Sequence, residues 1–235
     1  DLQADLTRLG TPLAFRVGDA VETLEDLRQK FGCTQMISHI ETGNLWSFAR
    51  DQRVANWARA QRVGWSQLPQ SAVTRGIARA NRWADRRGRF VAEAVSPIPP
   101  MLRGVKLEPG TLPSAASLGL VEGRPDTLQV GGRRQAERVL EDFLQRRGQP
   151  YRRAMSSPLS AEMACSRLSP YLAYGAITVR EVVQATARRQ AELKGSRSGW
   201  LSSLSSFQSR LAWRDHFTQK LEDQPDIETK CLHPA

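Results

Sequence analysis

The feature that most constrains the fold of this chain is a change of residue pattern along its length. Residues 1–68 alternate β-rich runs with helical stretches, and from Gly132 onward the pattern is helical to the end. Strands that alternate with helices predict a parallel sheet with crossover helices. The sequence therefore predicts a partial α/β region followed by an all-helical region.

Turn and capping residues place the elements of the first region. A helix ends near Leu9, and Asp19 can cap the next one, which Gly32 stops. The expected strands are Leu13–Val17, Thr34–Ile40 and Val63–Leu68, and the expected helices are Asp1–Leu9, Asp19 to about Lys30, and Leu45–Arg62. Three strands are few for such a sheet. Because the chain begins inside the pattern, we expect that the first strands of the domain are missing.

A proline-rich stretch separates the two regions. Six prolines fall within Ser96–Val130, which predicts a linker or a long wrapping loop. We therefore divide the chain into a partial α/β domain over 1–95, an interdomain linker over 96–131 and a helical region over 132–235. The helices expected in the last region are Arg133–Arg147, one that opens at a capping box from Thr178 to Glu181, and Trp200 to about Glu222.

Charge points to a polyanionic partner. The 235 residues carry a net charge of +10, and only five of the 34 basic residues are lysines. Arginine forks bind phosphate in bidentate fashion and stack on rings, so nucleic acid is the first expectation. A high-GC genome is the alternative explanation of the arginine excess, although it explains the net charge less well.

Composition excludes several other classes. A membrane span needs about 18 apolar residues in a row, and the chain has no such run. The hydrophobic content of 40% argues against disorder of the whole chain. The three cysteines, Cys33, Cys165 and Cys231, do not have the spacing of metal ligands, and their odd number does not suit a framework of paired disulfides. We therefore expect a reducing cytoplasm. His39, His216 and His233 are too dispersed to predict a metal site.

Three clusters could bind a ligand. In the last helix, Arg214 falls within the apolar arc of Leu204, Phe207, Leu211 and Leu221, so it needs an anion. That anion could be a protein carboxylate, a cofactor phosphate or a DNA phosphate, and an arginine head that reaches water is a further alternative. Trp213, flanked by Arg210 and Arg214, offers a ring with charges beside it, which suits an unstacked base.

The second cluster is Cys165-Ser-Arg-Leu-Ser169, whose hydroxyls and arginine at a helix start suit phosphate, with plain helix capping as the alternative. The third is a helix face with Trp46, Ala49, Arg50, Arg53 and Trp57. This face is either a binding strip or tryptophans that pack on the sheet under arginine stems.

At these residues the chain resembles the photolyase/cryptochrome flavoprotein family, in a form similar to bacterial DNA photolyases. The resemblance rests on TGNLWSFARDQRV, VGWSQLPQSAV, SRLSPYLAYGAIT and FQSRLAWRDHF, and it runs over nearly the whole chain. It implies that residues 132–235 are the first part of a helical FAD-binding domain. It also implies an antenna chromophore (folate or deazaflavin), damaged DNA as the partner, no membrane association and a monomeric protein.

The resemblance also assigns residues. Tyr151 matches the flavin-pocket tyrosine, and Cys165, Ser166, Arg167, Leu168 and Ser169 match the flavin-phosphate loop, with Cys165 in place of the usual Thr and contributing only its backbone. Trp213 matches a tryptophan that packs against the extruded pyrimidine dimer, and Arg214 matches an arginine that faces DNA and flavin. Phe207 replaces a common Trp. Arg210 stands where dimer-repairing relatives usually place Glu and a related branch places Gln.

The reaction that the resemblance implies is a light-driven lyase reaction, in which reduced FAD gives an electron to a flipped-out dimer and the carbon–carbon bonds of the dimer split. It needs no general acid to begin, and we assign no catalytic residue within this chain. We expect the chain to be an internal fragment that is inactive alone. The alternatives are a cryptochrome-like photoreceptor, which Arg210 and Phe207 suit, and an arginine-rich nucleic-acid-binding module without flavin.

Overall fold

The computed structural model describes residues 1–75, 83–120 and 128–231. These residues fall into two units, drawn from 1–38, 46–68 and 97–130 for the first and from 39–45, 69–96 and 131–235 for the second. His233 and part of the predicted linker lie outside the described residues. The predicted domain boundaries at 95 and 131 stay a prediction.

The first 68 residues form the predicted small sheet with its crossover helix. The elements are α1 Leu2–Arg8, α2 Ala20–Phe31, β1 Gln35–His39, α3 Leu45–Ala60 and β2 Gly64–Leu68. Asp19 caps α2, because its carboxylate accepts the Val21 and Glu22 amides at 2.9 and 3.3 Å. Gly32 ends α2 with a left-handed φ of 65°. Strands β1 and β2 pair in a parallel two-stranded sheet.

One predicted strand is wrong. Leu13–Val17 forms no strand in the structure. Its Phe15 amide donates to the Pro109 carbonyl at 2.6 Å, in the irregular stretch that precedes Gly110. A proline-containing neighbour cannot continue a ladder of backbone hydrogen bonds, so a single bond forms and the apolar run stays irregular.

The stretch after residue 96 is irregular, as its prolines predict. Residues 97–115 contain neither helix nor strand, and a single 3₁₀ turn follows at Ala116–Leu118. Arg16 holds this stretch by donating to the Glu108 carbonyl at 2.9 Å. Within the first unit, the stretch therefore wraps against the segment that was predicted to be a strand.

The second unit is helical. It contains α4 Trp83–Ala92, α5 Arg133–Asp142 with a π-helical continuation Phe143–Arg147, α6 Tyr151–Ala154, α7 Ala161–Ala164, α8 Ser169–Ala173, α9 Val179–Glu192 and α10 Trp200–Asp223, followed by a 3₁₀ turn Pro225–Glu228. The capping box predicted at Thr178 and Glu181 is confirmed at the start of α9. Helix α4 was not predicted.

One apolar core joins these helices. Phe143, Leu168, Val182 and Leu204 are almost completely buried in it. Phe207 and Leu211 of α10 pack in the same core as Tyr171 of α8, which fixes the short loop before α8 relative to α10. No helix in the described part of the chain is long and apolar enough to cross a membrane.

Candidate functional site

Helix α10 presents two chemically different faces. Its buried face carries Leu204, Phe207 and Leu211, as the apolar arc predicts, and then continues into Asp215 and Gln219. A helix turns by about 100° per residue, so Asp215 lies one turn beyond Leu211 on the same stripe. The C-terminal half of the buried face is therefore polar.

The other face of α10 combines rings with cations. Arg210, Trp213, Arg214 and Phe217 follow each other at helical spacing, and we call these four residues the α10 exposed face. Trp213 is 52% exposed and Phe217 is 60% exposed. The Arg210 Cζ lies 4.1 Å from the centroid of the Trp213 ring, within cation–π range. Phe217, which the sequence places at the edge of the apolar arc, therefore lies in solvent.

Asp215 is completely buried, with 0% exposure. Arg87 of α4 donates from Nε to its Oδ2 at 2.8 Å, and the Arg87 side chain is itself nearly buried. Burial raises the pKa of Asp215 above its ordinary value, while the charges of Arg87 and Arg214 act to lower it. The pair ties α4 to the centre of α10.

Arg214 has a protein carboxylate beside it. Its Nη1 lies 3.5 Å from Asp215 Oδ1, and its Nη2 donates to the Leu172 carbonyl of α8 at 3.3 Å. Both contacts are longer than a typical charged hydrogen bond, and the side chain is 38% exposed. Of the anions considered for Arg214, the structure therefore contains the protein carboxylate, Asp215. The Arg214 side chain also remains accessible to solvent.

In the cluster Cys165–Ser169, residues Cys165–Leu168 are an irregular loop that leads into α8, and Ser169 is the first residue of that helix. Arg167 has a left-handed φ of 60°, which is uncommon for a residue with a Cβ and occurs often at ligand-binding loops. Its Nη1 lies 3.9 Å from Glu162 Oε1 at the surface. The residue before α8 is Leu168, and no side-chain capping bond forms there. Plain capping by Ser169 therefore does not explain this cluster.

Arg147, which the sequence analysis did not single out, holds this loop from behind. Its Nη1 donates to the Cys165 carbonyl at 2.5 Å, its Nη2 lies 3.4 Å from the Ser166 carbonyl, and Asp142 pairs with it. The Cys165 amide also donates to Ala161 at 2.7 Å. The Cys165 amide, the backbone group that could donate to a phosphate, is therefore already bonded within the chain.

Tyr151 lies at the junction of the loop and α10. It is 6% exposed, and its ring packs against Phe143 and Phe207 with centroids 5.5 and 5.7 Å apart. Burial raises the pKa of its hydroxyl above the ordinary value, a thiolate at Cys165 adds to this increase, and the positive charge of Arg210 opposes it. The contact with Phe207 places Tyr151 against the part of α10 that carries Arg210 three residues later.

The donors in this region suit the pyrophosphate of FAD. Ser169 is exposed, and its hydroxyl has no hydrogen-bond partner among the described residues. The Arg167 guanidinium is 39% exposed, and the Ser166 hydroxyl accepts the Leu168 amide at 3.4 Å while it keeps its own donor. Hydroxyls and a guanidinium around a strained loop fit an anion. Leu168 is buried and serves as the anchor of the loop.

The helix face of Trp46 lies in the first unit, where acids neutralise its cations. Arg53 pairs with Asp19 at 2.8 Å, and Arg50 pairs with Asp51 at 2.7 Å. Trp57 donates from its indole nitrogen to Glu25 at 2.9 Å. Trp46 itself is 72% exposed, so it does not pack on the sheet as one alternative expected.

A cavity of about 540 Å³ lies elsewhere in the second unit. Trp83, His216, Gln219 and Lys220 line it. Among the described residues that line this cavity, none is a predicted flavin or DNA contact. The predicted contacts lie instead on the exposed face of α10, around the start of α8, and at the buried Tyr151 of α6.

Known proteins provide an independent comparison. The deoxyribodipyrimidine photo-lyase of Halobacterium salinarum is 26% identical over 227 aligned residues, which cover 91% of this chain and 46% of that protein. A crystal structure of a bacterial class III photolyase from Agrobacterium tumefaciens matches with a TM-score of 0.79 and 21% identity, over 97% of this chain and 49% of that one. An archaeal photolyase from Sulfolobus tokodaii, solved with two FAD molecules, matches with a TM-score of 0.63 and 18% identity, over 98% and 48%.

The chain is similar to photolyases in sequence and in fold. The resemblance predicted from the motifs is thereby confirmed. No protein-family model matches the chain. The chain spans about half the length of the photolyases that it matches.

Asp215 and Arg147 are the residues that the sequence reasoning missed. Asp215 follows Leu211 by four residues, so the helical spacing that revealed the apolar stripe contained the signal for this carboxylate. Arg147 gave no such signal, because the loop carbonyls that it holds are 18 and 19 residues away.

Proposed function

We propose that this chain belongs to a light-dependent DNA repair flavoprotein of the deoxyribodipyrimidine photolyase kind. The observation that supports this most is the placement of two sets of donors around one core. The segment with Arg167 leads into α8, which begins at Ser169, and its Leu168 lies in the same core as Phe207 and Leu211 on the buried face of α10. A phosphate loop beside a face of rings and cations suits a flavin nucleotide beside a DNA strand.

In this proposal, Tyr151, Ser166, Arg167, Ser169 and Arg214 hold FAD. Leu168 anchors their loop, and Cys165 lies at its start. When bound, FAD supplies the electron that opens a pyrimidine dimer under light, and an antenna chromophore of the folate or deazaflavin class supplies excitation. Residues 132–235 are then the first part of the FAD-binding domain, 96–131 the linker and 1–95 the partial α/β domain.

The residues of this chain act by binding and orientation. Trp213 offers its exposed ring to the extruded base, while Arg210 and Arg214 supply positive charge beside it. Arg147 positions the loop through the carbonyls of Cys165 and Ser166, and the hydroxyls of Ser166 and Ser169 keep their donors. No proton transfer by this chain is required, since the proposed step is an electron transfer to the dimer.

A specific observation favours a second candidate, a cryptochrome-like photoreceptor that binds FAD without repairing DNA. Arg210 lies on one face of Trp213 at 4.1 Å, so that ring face is closed to a base while Arg210 stays there. Phe207 is buried in the core and offers no ring to the surface.

Illumination of the whole protein with dimer-containing DNA tests these functions. A photolyase removes the dimers in blue or near-ultraviolet light and leaves them in the dark. Unchanged dimers together with photoreduced flavin would reject repair and support the photoreceptor. A colourless protein with salt-sensitive DNA binding would reject both and support the arginine-rich module without flavin.

A further inference from the structure

Arg210 is a cation for which no residue in the described part of the chain supplies an anion. It is partly buried. Among the described residues, none places a carboxylate oxygen within 4.0 Å of its guanidinium, and none makes a hydrogen bond to it. Some other arginines of the same unit are paired with acids. Arg87 pairs with Asp215 at 2.8 Å, Arg146 with Asp142 at 2.7 Å and Arg180 with Glu93 at 2.6 Å.

The surroundings of Arg210 hold it in place and leave its donors unused. Its guanidinium stacks on Trp213, which stabilises the charge through the ring face and uses none of the five N–H groups. A guanidinium that is partly withdrawn from water gains most from an acceptor that carries negative charge.

A second donor without a partner lies nearby. Tyr151 is buried, yet its hydroxyl has no hydrogen bond in the described part of the chain and is not sealed from solvent. The Tyr151 ring packs on Phe207, which lies three residues before Arg210 on α10, and the positive charge of Arg210 acts to lower the pKa of the Tyr151 hydroxyl against the effect of burial. Together they form a region that donates hydrogen bonds and carries positive charge.

We propose that Arg210 binds a phosphate ester, so that this position of the site selects an anionic group. A carboxylate at the same position would instead select the hydrogen-bond donors of a neutral base. The inference rests on the proposed function, because it places the phosphate beside the ring assigned to the extruded base. Such a phosphate can come from two sources: a phosphodiester of the DNA strand or the pyrophosphate of FAD.

The test measures two quantities on the whole protein with Arg210→Ala, Arg210→Lys and Arg210→Glu. The first is the affinity for a single-stranded oligonucleotide as a function of salt, and the second is the flavin bound per protein. For a strand phosphodiester, Arg210→Ala weakens DNA binding roughly 10- to 100-fold. It also makes the slope of log K against log salt less steep by about 0.7, the value for one phosphate contact to a single strand, with flavin content unchanged.

The other variants sharpen the result. Arg210→Lys retains the charge and thus the salt slope but loses affinity, because lysine lacks the planar fork. Arg210→Glu binds DNA more weakly than Arg210→Ala. The matched control is Arg146→Ala, which removes an exposed arginine that Asp142 already neutralises, and its salt slope equals that of the wild type.

The outcomes separate the two sources. Lower flavin content with unchanged DNA binding in Arg210→Ala assigns the phosphate to FAD and supports the proposal. Unchanged DNA affinity, salt slope and flavin content in Arg210→Ala would overturn it, even if the wild type repairs DNA. A wild-type protein that binds neither DNA nor flavin would overturn the proposed function and this assignment with it.

Discussion

Asp215 and Arg210 lie five residues apart on one helix and have opposite surroundings. Asp215 is completely buried and meets Arg87 and Arg214, whereas Arg210 stacks on the half-exposed Trp213 and meets no acid in the described part of the chain. A buried charge that is neutralised within the chain holds the fold, and removing its partner is costly. A charge left without a partner at the surface is available to a ligand. The same helix therefore separates a structural face from a binding face.

The largest expected effect concerns the structural face. Asp215→Ala leaves the nearly buried Arg87 without its carboxylate, so we expect the free energy of unfolding to fall by about 3–5 kcal/mol. Urea denaturation of the variant and the wild type measures this difference. A loss below about 1 kcal/mol would show that Asp215 and Arg87 are not the structural pair described above.

Arg214 lies between the structural face and the binding face of α10, and its variant tests whether it serves stability or ligand binding. In Arg214→Ala, Asp215 keeps Arg87, so unfolding should change much less than in Asp215→Ala. DNA affinity or FAD retention should instead fall by roughly 1.5–3 kcal/mol, the value of a charged hydrogen bond. Titrations with oligonucleotide and with FAD measure both. A variant that loses only stability would place Arg214 on the structural face.

Trp213 tests the ring of the binding face. Trp213→Ala should weaken the binding of DNA that contains an unpaired base by about 1–3 kcal/mol, because one stacking surface is lost. Trp46→Ala is the matched control, since Trp46 is also exposed but belongs to a helix face whose arginines are paired with acids. Equal losses in the two variants would contradict a specific role for Trp213.

The smallest expected effect lies at the capping box of α9. Although burial raises the pKa of Glu181, hydrogen bonds from Arg133 and Thr178 lower it below its ordinary value of 4.5. The stabilisation by the ionised carboxylate is therefore fully present above about pH 4.5 and is lost as pH falls through the lowered pKa. Glu181→Ala should cost about 0.5 kcal/mol at pH 7, a small value because the carboxylate is partly solvated.

Unfolding at pH 7 and at pH 3 checks this prediction. The difference between the wild type and Glu181→Ala should shrink at the lower pH. Glu181→Gln, which can still accept the Thr178 amide but does not titrate, should show a smaller pH dependence than the wild type. A difference between wild type and Glu181→Ala that grows at acid pH would contradict the sign of the pKa shift.

Local signals predicted the helices well. The Asp19 cap, the Gly32 stop and the Thr178 capping box all appear where side-chain chemistry places them, because these contacts join residues close in sequence. The strand expected at Leu13–Val17 failed for the opposite reason. A strand needs a partner, and the partner of Phe15 is the distant Pro109, which the pattern of the segment does not reveal.

The candidate site shows the same limit. Helical spacing placed Arg210, Trp213 and Arg214 together, and the structure confirms that they lie on one face of α10. Spacing alone could not reveal that Arg210 stacks on Trp213, since a long side chain can adopt many rotamers. It also could not reveal Arg147 behind the loop, because that contact depends on the packing of separate helices.

Flavin bound to the whole protein tests the proposal most directly. The purified wild type should be yellow and release stoichiometric FAD on denaturation. Arg167→Ala should retain FAD roughly 10- to 100-fold more weakly with unchanged unfolding, because a charged contact to phosphate is lost while the core stays intact. A colourless wild type, or an Arg167→Ala variant with full FAD affinity, would contradict the flavin site described above.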